Sequence, residues 1–129
     1  YCEFILDMRH VDPEVLKKCV AIVEALPKEI VGCKVEFEVA WARPTVPFDR
    51  KLVDIVKKSV DALGYSNVFM NSGAGHDAQF VADVLPTTMI FVPSKDGHSH
   101  CELEYTAPHL CAQGVDVLLN AVLELDKAL

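Results

Sequence analysis

A chain of 129 residues with 51% hydrophobic content can remove roughly two-thirds of its unfolded surface from water, enough for one ordinary domain or two small lobes without staples. No run approaches the ~18 uninterrupted apolar residues of a membrane span, which argues against a membrane partner. The net charge of −7, with no basic cluster longer than the pairs Lys17, Lys18 and Lys57, Lys58, argues against nucleic acid, whose binding rests on neutralising phosphates.

Residues 2–9 alternate, with Phe4, Leu6 and Met8 facing one way and Ile5, Asp7 and Arg9 the other, the pattern of a strand with one buried face. Asp12 as N-cap and Pro13 at the first helical position then start a helix with the apolar stripe Leu16, Cys19, Val20, Val23 and Leu26, closed by Pro27 and Gly32. From Lys34 the alternation returns: Val35, Phe37, Val39 and Trp41 oppose Glu36 and Glu38, as in an antiparallel strand with one wet face. The stretch RPTVPFD, residues 43–49, is the candidate linker, because its two prolines favour extended backbone and stop both flanking elements.

Beyond it, Asp49 caps a second helix with Leu52, Ile55, Val56 and Leu63 inward, ended by Gly64 at C′. A short strand at 67–70, a glycine-bearing loop, a short helix near 77–84, a fully apolar strand at 89–92, a polar loop and a long helix near 108–125 complete the order. The first lobe reads as α+β and the second as α/β. Five scattered cysteines without a C-x-x-C pair point to free thiols in a reducing compartment, and so to a cytoplasmic protein. The start carries charge at Glu3 and Asp7 where a signal peptide would be apolar, and no initiator Met, which suggests a piece of a longer chain.

The loop NSGAGHDAQF, residues 71–80, admits three readings. Gly73, Gly75 and Ala78 fit the G-x-G-x-x-A spacing of a dinucleotide loop, with a strand before, a helix after, and Asp96 about 20 residues on as a ribose-binding acid. Against this stand a helix of about two turns, an Asp77 carboxylate that repels pyrophosphate, and too short a remainder for a doubly wound sheet. Alternatively the loop is a tight strand-to-helix connection, with Asp77 as N-cap and His76 in solvent. In the third reading it is a small-residue bend that presents the His76 imidazole. The segment SKDGHSHCELEYT, residues 94–106, follows an apolar strand, where α/β sheets place their sites, and adds His98 and His100; surface decoration is the plain alternative.

Taken together, SGAGHDA, then MIFVPS, then G-x-S-H-x-x-x-E-Y-T, then GVDVLLNAVLEL, with FILDMRH far upstream, resemble the C-terminal part of the hydantoinase/carbamoylase branch of the M20 metallopeptidase-like amidohydrolases. That branch includes N-carbamoyl-L-amino acid hydrolases, β-ureidopropionases and allantoate amidohydrolases. The resemblance runs over essentially the whole chain, in order and spacing. It implies that His100 coordinates one ion of a two-metal centre, zinc or manganese, that His76 contacts substrate, and that Arg9 grips the substrate carboxylate. A guanidinium suits that task through its planar bidentate fork. Asp7, on the same strand face, forms a salt bridge with Arg9 in the rival view and orients it in a combined one. Glu104 matches the acid after the S-H pair, a partner that fixes a histidine or the loop. Where many members carry an apolar residue this chain has His98, and Cys101 with Glu102 replaces Asn-Pro; neither His98 nor Cys101 is assigned a catalytic role.

The resemblance further implies an architecture: residues 1–46 as the back half of an α+β lid and dimerisation domain, and residues 47–129 as the C-terminal portion of a catalytic α/β domain. The remaining metal ligands, the bridging carboxylate and the general base would lie upstream, so no catalytic residue falls within these 129 residues and the chain alone is expected to be inactive. The expected partners are a small carboxylate-bearing ureido substrate and a second copy, through the lid. The competing functions are a standalone non-catalytic module of the same fold, for dimerisation or ligand binding, and the dinucleotide binder.

Overall fold

The computed structural model describes residues 1–127 and divides the chain into two units, residues 1–46 with 71–74, and residues 47–70 with 75 onward. In the first unit, helix α1 (Pro13–Glu24) starts where the capping chemistry expects: the Asp12 carboxylate accepts the Glu14 N–H at 2.9 Å, and Pro13 supplies a helical φ where no intrahelical N–H is required. Leu16, Cys19, Val20 and Val23 are half-buried along one face, whereas Leu26 lies beyond the helix and is exposed.

A hairpin follows, with β1 (Glu29–Ile30) antiparallel to β2 (Cys33–Lys34), Glu29 opposite Lys34 and Ile30 opposite Cys33. Its turn has φ 50° at Val31 and 74° at Gly32, the two positive values of a type I′ connection. Gly32 therefore turns the hairpin and does not close α1, a correction to the sequence expectation. The reason it was hidden is Val31, a β-branched residue in the left-handed region, where Asn or Asp would have announced the turn.

The alternating runs 2–9, 35–41 and 67–70, and the apolar run 89–92, expected as strands, form no strand among the described residues; the one bond that extends the hairpin is from the Val35 N–H to the Lys28 carbonyl, at 2.9 Å. Alternation records a chain fitted to a pleated, half-buried surface, but a strand exists only when a neighbour completes its hydrogen bonds. Phe4 and Val39 accordingly stand 79% and 68% exposed, apolar side chains with no sheet to cover them.

The second unit is better packed. Helix α2 (Arg50–Ala62) is capped by the Asp49 carboxylate, which accepts the Leu52 N–H at 3.0 Å. At its end Gly64 (φ 72°) and Tyr65 donate to the Asp61 and Val60 carbonyls at 3.0 and 3.2 Å, the paired bonds of a Schellman motif. Helix α3 (Ala78–Val81) is a single turn, shorter than the expected 77–84, and helix α4 (Pro108–Asp126) is long. α2 packs on α4, and the unit's buried residues among those described, Ser59, Val117 and Ala121, lie on these two helices. The Ser59 hydroxyl donates to the Ile55 carbonyl at 3.0 Å, so its burial leaves no polar atom unmatched.

Two features set the run 88–92 against these helices. The Asp49 N–H donates to the Thr87 carbonyl at 3.0 Å, and Gly114 in α4 faces Val92 so closely that a Cβ there would lie 2.6 Å from Val92 Cγ1. An apolar groove of about 460 Å³, lined by Leu52, Ile55, Ile90, Val92, Leu118 and Ala121, runs between them. None of the described helices is long and apolar enough to cross a membrane.

Candidate functional site

Arg9 ends the run 2–9 two residues after Asp7, the spacing that puts both side chains on one side of an extended backbone. The structure pairs them: Nε donates to Asp7 Oδ1 and Oδ2 at 2.9 and 3.0 Å, and Nη2 donates to Oδ2 at 2.5 Å. Nη1 donates to the Gly73 carbonyl, which ties the glycine loop to this arginine within the first unit. Of the five guanidinium donors these contacts take one on each nitrogen, leaving one N–H on each terminal nitrogen for a ligand. The hydrogen bonds from Arg9 hold the Asp7 carboxyl below the usual carboxylate range, and the same bonds push the Arg9 guanidinium further up. Just beyond, the Asp12 N–H donates to His10 Nδ1 at 2.9 Å and the Thr45 hydroxyl donates to the His10 carbonyl at 2.9 Å, which fixes the chain leaving Arg9.

His76 belongs to the second unit, because the division between units falls inside the glycine loop, after Ala74. Its half-buried ring meets Phe91 edge to face, with centroids 5.5 Å apart and planes at 61°. The His76 carbonyl accepts the Gln79 N–H at 3.0 Å, so the residue also starts the turn that becomes α3. Asp77 stands at the N-cap position of α3, as one reading of the loop expects, but it is in helical conformation and makes no side-chain cap bond, because a capping carboxylate needs extended backbone to swing over the first N–H groups. With only four residues, α3 also lacks the dipole and the row of N–H groups a dinucleotide loop requires. Nor do Gly73 and Gly75 adopt positive φ.

The histidine segment is a closed loop. The Lys95 N–H donates to the Tyr105 carbonyl at 2.7 Å across its neck, and a 3-10 turn (Lys95–Gly97) carries Asp96 and Gly97 at φ 56° and 72°. At its apex His100 is exposed and left-handed, φ 56°, and its N–H donates to Glu104 Oε2 at 2.8 Å. Glu104 thus touches His100 through the backbone. Among the described residues no three His, Cys, Asp or Glu side chains gather in a group that could hold a metal ion. The exposed imidazole of His100 has the donor chemistry of one ligand of such a centre and not of a whole one.

Two contacts were outside the reach of sequence reasoning: the Gly73 carbonyl beneath Arg9, 64 residues away in the chain, and Phe91 beneath His76. The only hint of the second is that Phe91 stands in the apolar run leading into the histidine segment.

An N-carbamoyl-L-amino-acid amidohydrolase of Rhizobium meliloti is 44% identical over 126 residues, 94% of this chain and 30% of its own length. An allantoate amidohydrolase of Escherichia coli (strain K12) is 32% identical over 125 residues, 95% of this chain and 30% of its own. A crystal structure of a hydantoinase/carbamoylase family amidase from Burkholderia ambifaria superposes with TM-score 0.61 at 37% identity, over 86% of this chain and 25% of that one. The chain therefore spans about 30% of the length of the curated relatives it matches. The description of Peptidase family M20/M25/M40 fits residues 3–124, and on that match the chain belongs to the M20/M25/M40 peptidase family.

Proposed function

We propose that this chain is the C-terminal part of a binuclear-metal amidohydrolase that cleaves the C–N bond of an N-carbamoyl amino acid or a related ureido acid. Residues 1–46 then complete a lid and dimerisation domain and residues 47–129 a catalytic domain, in a homodimer of the full-length protein. The observation that carries the reading is Arg9, a guanidinium held by Asp7 and Gly73 with a donor left on each terminal nitrogen, in a chain 44% identical to a carbamoyl-amino-acid amidohydrolase. Arg9 binds the substrate carboxylate, His76 contacts the substrate from a ring steadied by Phe91, and His100 holds one of two divalent ions, zinc or manganese. The ions supply an activated water and a polarised carbonyl. Ligands and a general base outside this chain complete the site.

Charge-assisted hydrogen bonds contribute about 1.5–3 kcal/mol, so Arg9→Ala in the full-length protein is expected to lower kcat/KM by roughly 10- to 150-fold. The loss should appear for N-carbamoyl amino acids and vanish for their carboxamides, for which the wild type is expected to have low activity. The 129-residue chain with added zinc or manganese is expected to show no turnover. Absence of hydrolysis of N-carbamoyl amino acids, 3-ureidopropionate and allantoate by the metal-loaded full-length protein would refute the proposal, as would turnover by the isolated chain.

A further inference from the structure

We infer that Glu104 is a positioning residue that acts on the backbone of His100 and not on its imidazole: its carboxylate accepts the His100 N–H and so holds the left-handed turn that presents the ring. The inference rests on the reading of His100 as a metal ligand only for its consequence; the clamp itself stands on geometry. Only a few per cent or so of residues other than glycine adopt positive φ, and each needs local support. Here the support is visible. Residues 101–104 turn back on themselves, with the Glu104 N–H donating to the Cys101 carbonyl at 3.0 Å, and the returning side chain places Oε2 at 2.8 Å from the His100 nitrogen. The neck of the loop is closed independently by Lys95 and Tyr105, so the apex is what Glu104 fixes.

This differs from the usual arrangement around a metal-bound histidine, in which a carboxylate accepts from the second ring nitrogen and raises the basicity of the ligand. A carboxylate acting on the ring needs its charge. One acting on a backbone N–H needs only an acceptor oxygen at the right reach, and the side-chain carbonyl of glutamine offers one at the same length. Glu104→Gln is therefore expected to preserve function where Glu104→Ala does not.

The experiment uses the full-length protein and its Glu104→Gln, Glu104→Ala and His100→Ala variants. Amide hydrogen exchange is followed in peptides covering 98–104, and bound zinc is measured after dialysis against a zinc buffer. Loss of one such bond should speed exchange at His100 by about tenfold in Glu104→Ala and lower its zinc content, with both values restored in Glu104→Gln. Unchanged exchange in Glu104→Ala, or a Glu104→Gln protein as poor in zinc as Glu104→Ala, would overturn the inference. If Glu104→Ala does not fold, wild-type exchange and zinc in Glu104→Gln still support it, and their loss overturns it. Full zinc content in His100→Ala would instead sink the ligand reading of His100, while the exchange measurement continues to judge the clamp.

Discussion

Gly114 gives the sharpest test of how the histidine segment is supported. It lies in the middle of α4 with ordinary helical φ, where alanine on propensity alone would stabilise by about 1 kcal/mol. A Cβ at this position, however, would stand 2.6 Å from Val92 Cγ1, and real Cβ contacts essentially never approach below 3.0 Å. Val92 is β-branched, with few rotamers to turn into, so relief requires a less favourable χ1 at Val92 or a shift of the run 88–92 off α4. Overpacking of this kind costs about 1–3 kcal/mol, so after the propensity gain Gly114→Ala is expected to be destabilised by about 1 kcal/mol, within a range of roughly 0–2. Val92→Ala removes the opposing methyl groups. In that background Gly114→Ala should turn stabilising, by about 1 kcal/mol. Denaturant unfolding of the four proteins of the cycle measures this reversal of sign. Equal effects of Gly114→Ala in both backgrounds would refute the contact, and with it the claim that α4 sets the position of the strand-like run leading into residues 94–106.

Three further outcomes are expected. Asp49→Ala removes the carboxylate that accepts the Leu52 N–H and should cost about 1 kcal/mol in unfolding experiments, with Asp49→Ser recovering most of it. Asp7 and Asp61 both have carboxyls held below the usual range, the first by hydrogen bonds from Arg9 and the second by hydrogen bonds from Lys57 and then Asn67. Their folded-state values lie below the unfolded ones, so their contribution is present above about pH 4 and is lost as pH falls through the folded values; a pH series of melting temperatures should flatten at its acid end in Asp7→Asn, Asp61→Asn. The exposed apolar side chains of residues 2–9 and 35–41 lead us to expect that the isolated 129-residue chain self-associates, and a monomer by light scattering at micromolar concentration would contradict this.

What the sequence disclosed divides along the range of the forces involved. The three longer helices were legible because their signals are local: Asp12 with Pro13, Asp49, Gly64 and Pro108 mark ends that capping chemistry alone selects. Leu26 was assigned to a helix that ends two residues earlier, an error of the kind fraying termini produce. The alternation of Val35, Phe37, Val39 and Trp41 was legible as a pattern, but pairing depends on a neighbour elsewhere, and among the described residues the hairpin bonds end at Val35, whose N–H donates to the Lys28 carbonyl at 2.9 Å. The hairpin escaped because Val31 occupies a position that glycine or asparagine usually fills.

In the candidate site the same division holds. The Asp7 and Arg9 pair follows from a spacing of two, and the Glu104 to His100 bond spans four residues. The Gly73 carbonyl and the Phe91 ring, each brought in by tertiary structure, could not be foreseen. Asp77 takes the N-cap position without a side-chain bond for a related reason: the loop delivers it already in helical conformation.

The most direct measurement of the account is a count of divalent ions bound to the full-length protein and to its His100→Ala variant, by mass spectrometry of the dialysed samples. About two ions per chain are expected in the full-length protein and about one in the variant, with loss of ureido-acid hydrolysis. An unchanged ion count in the variant, with hydrolysis intact, would contradict it.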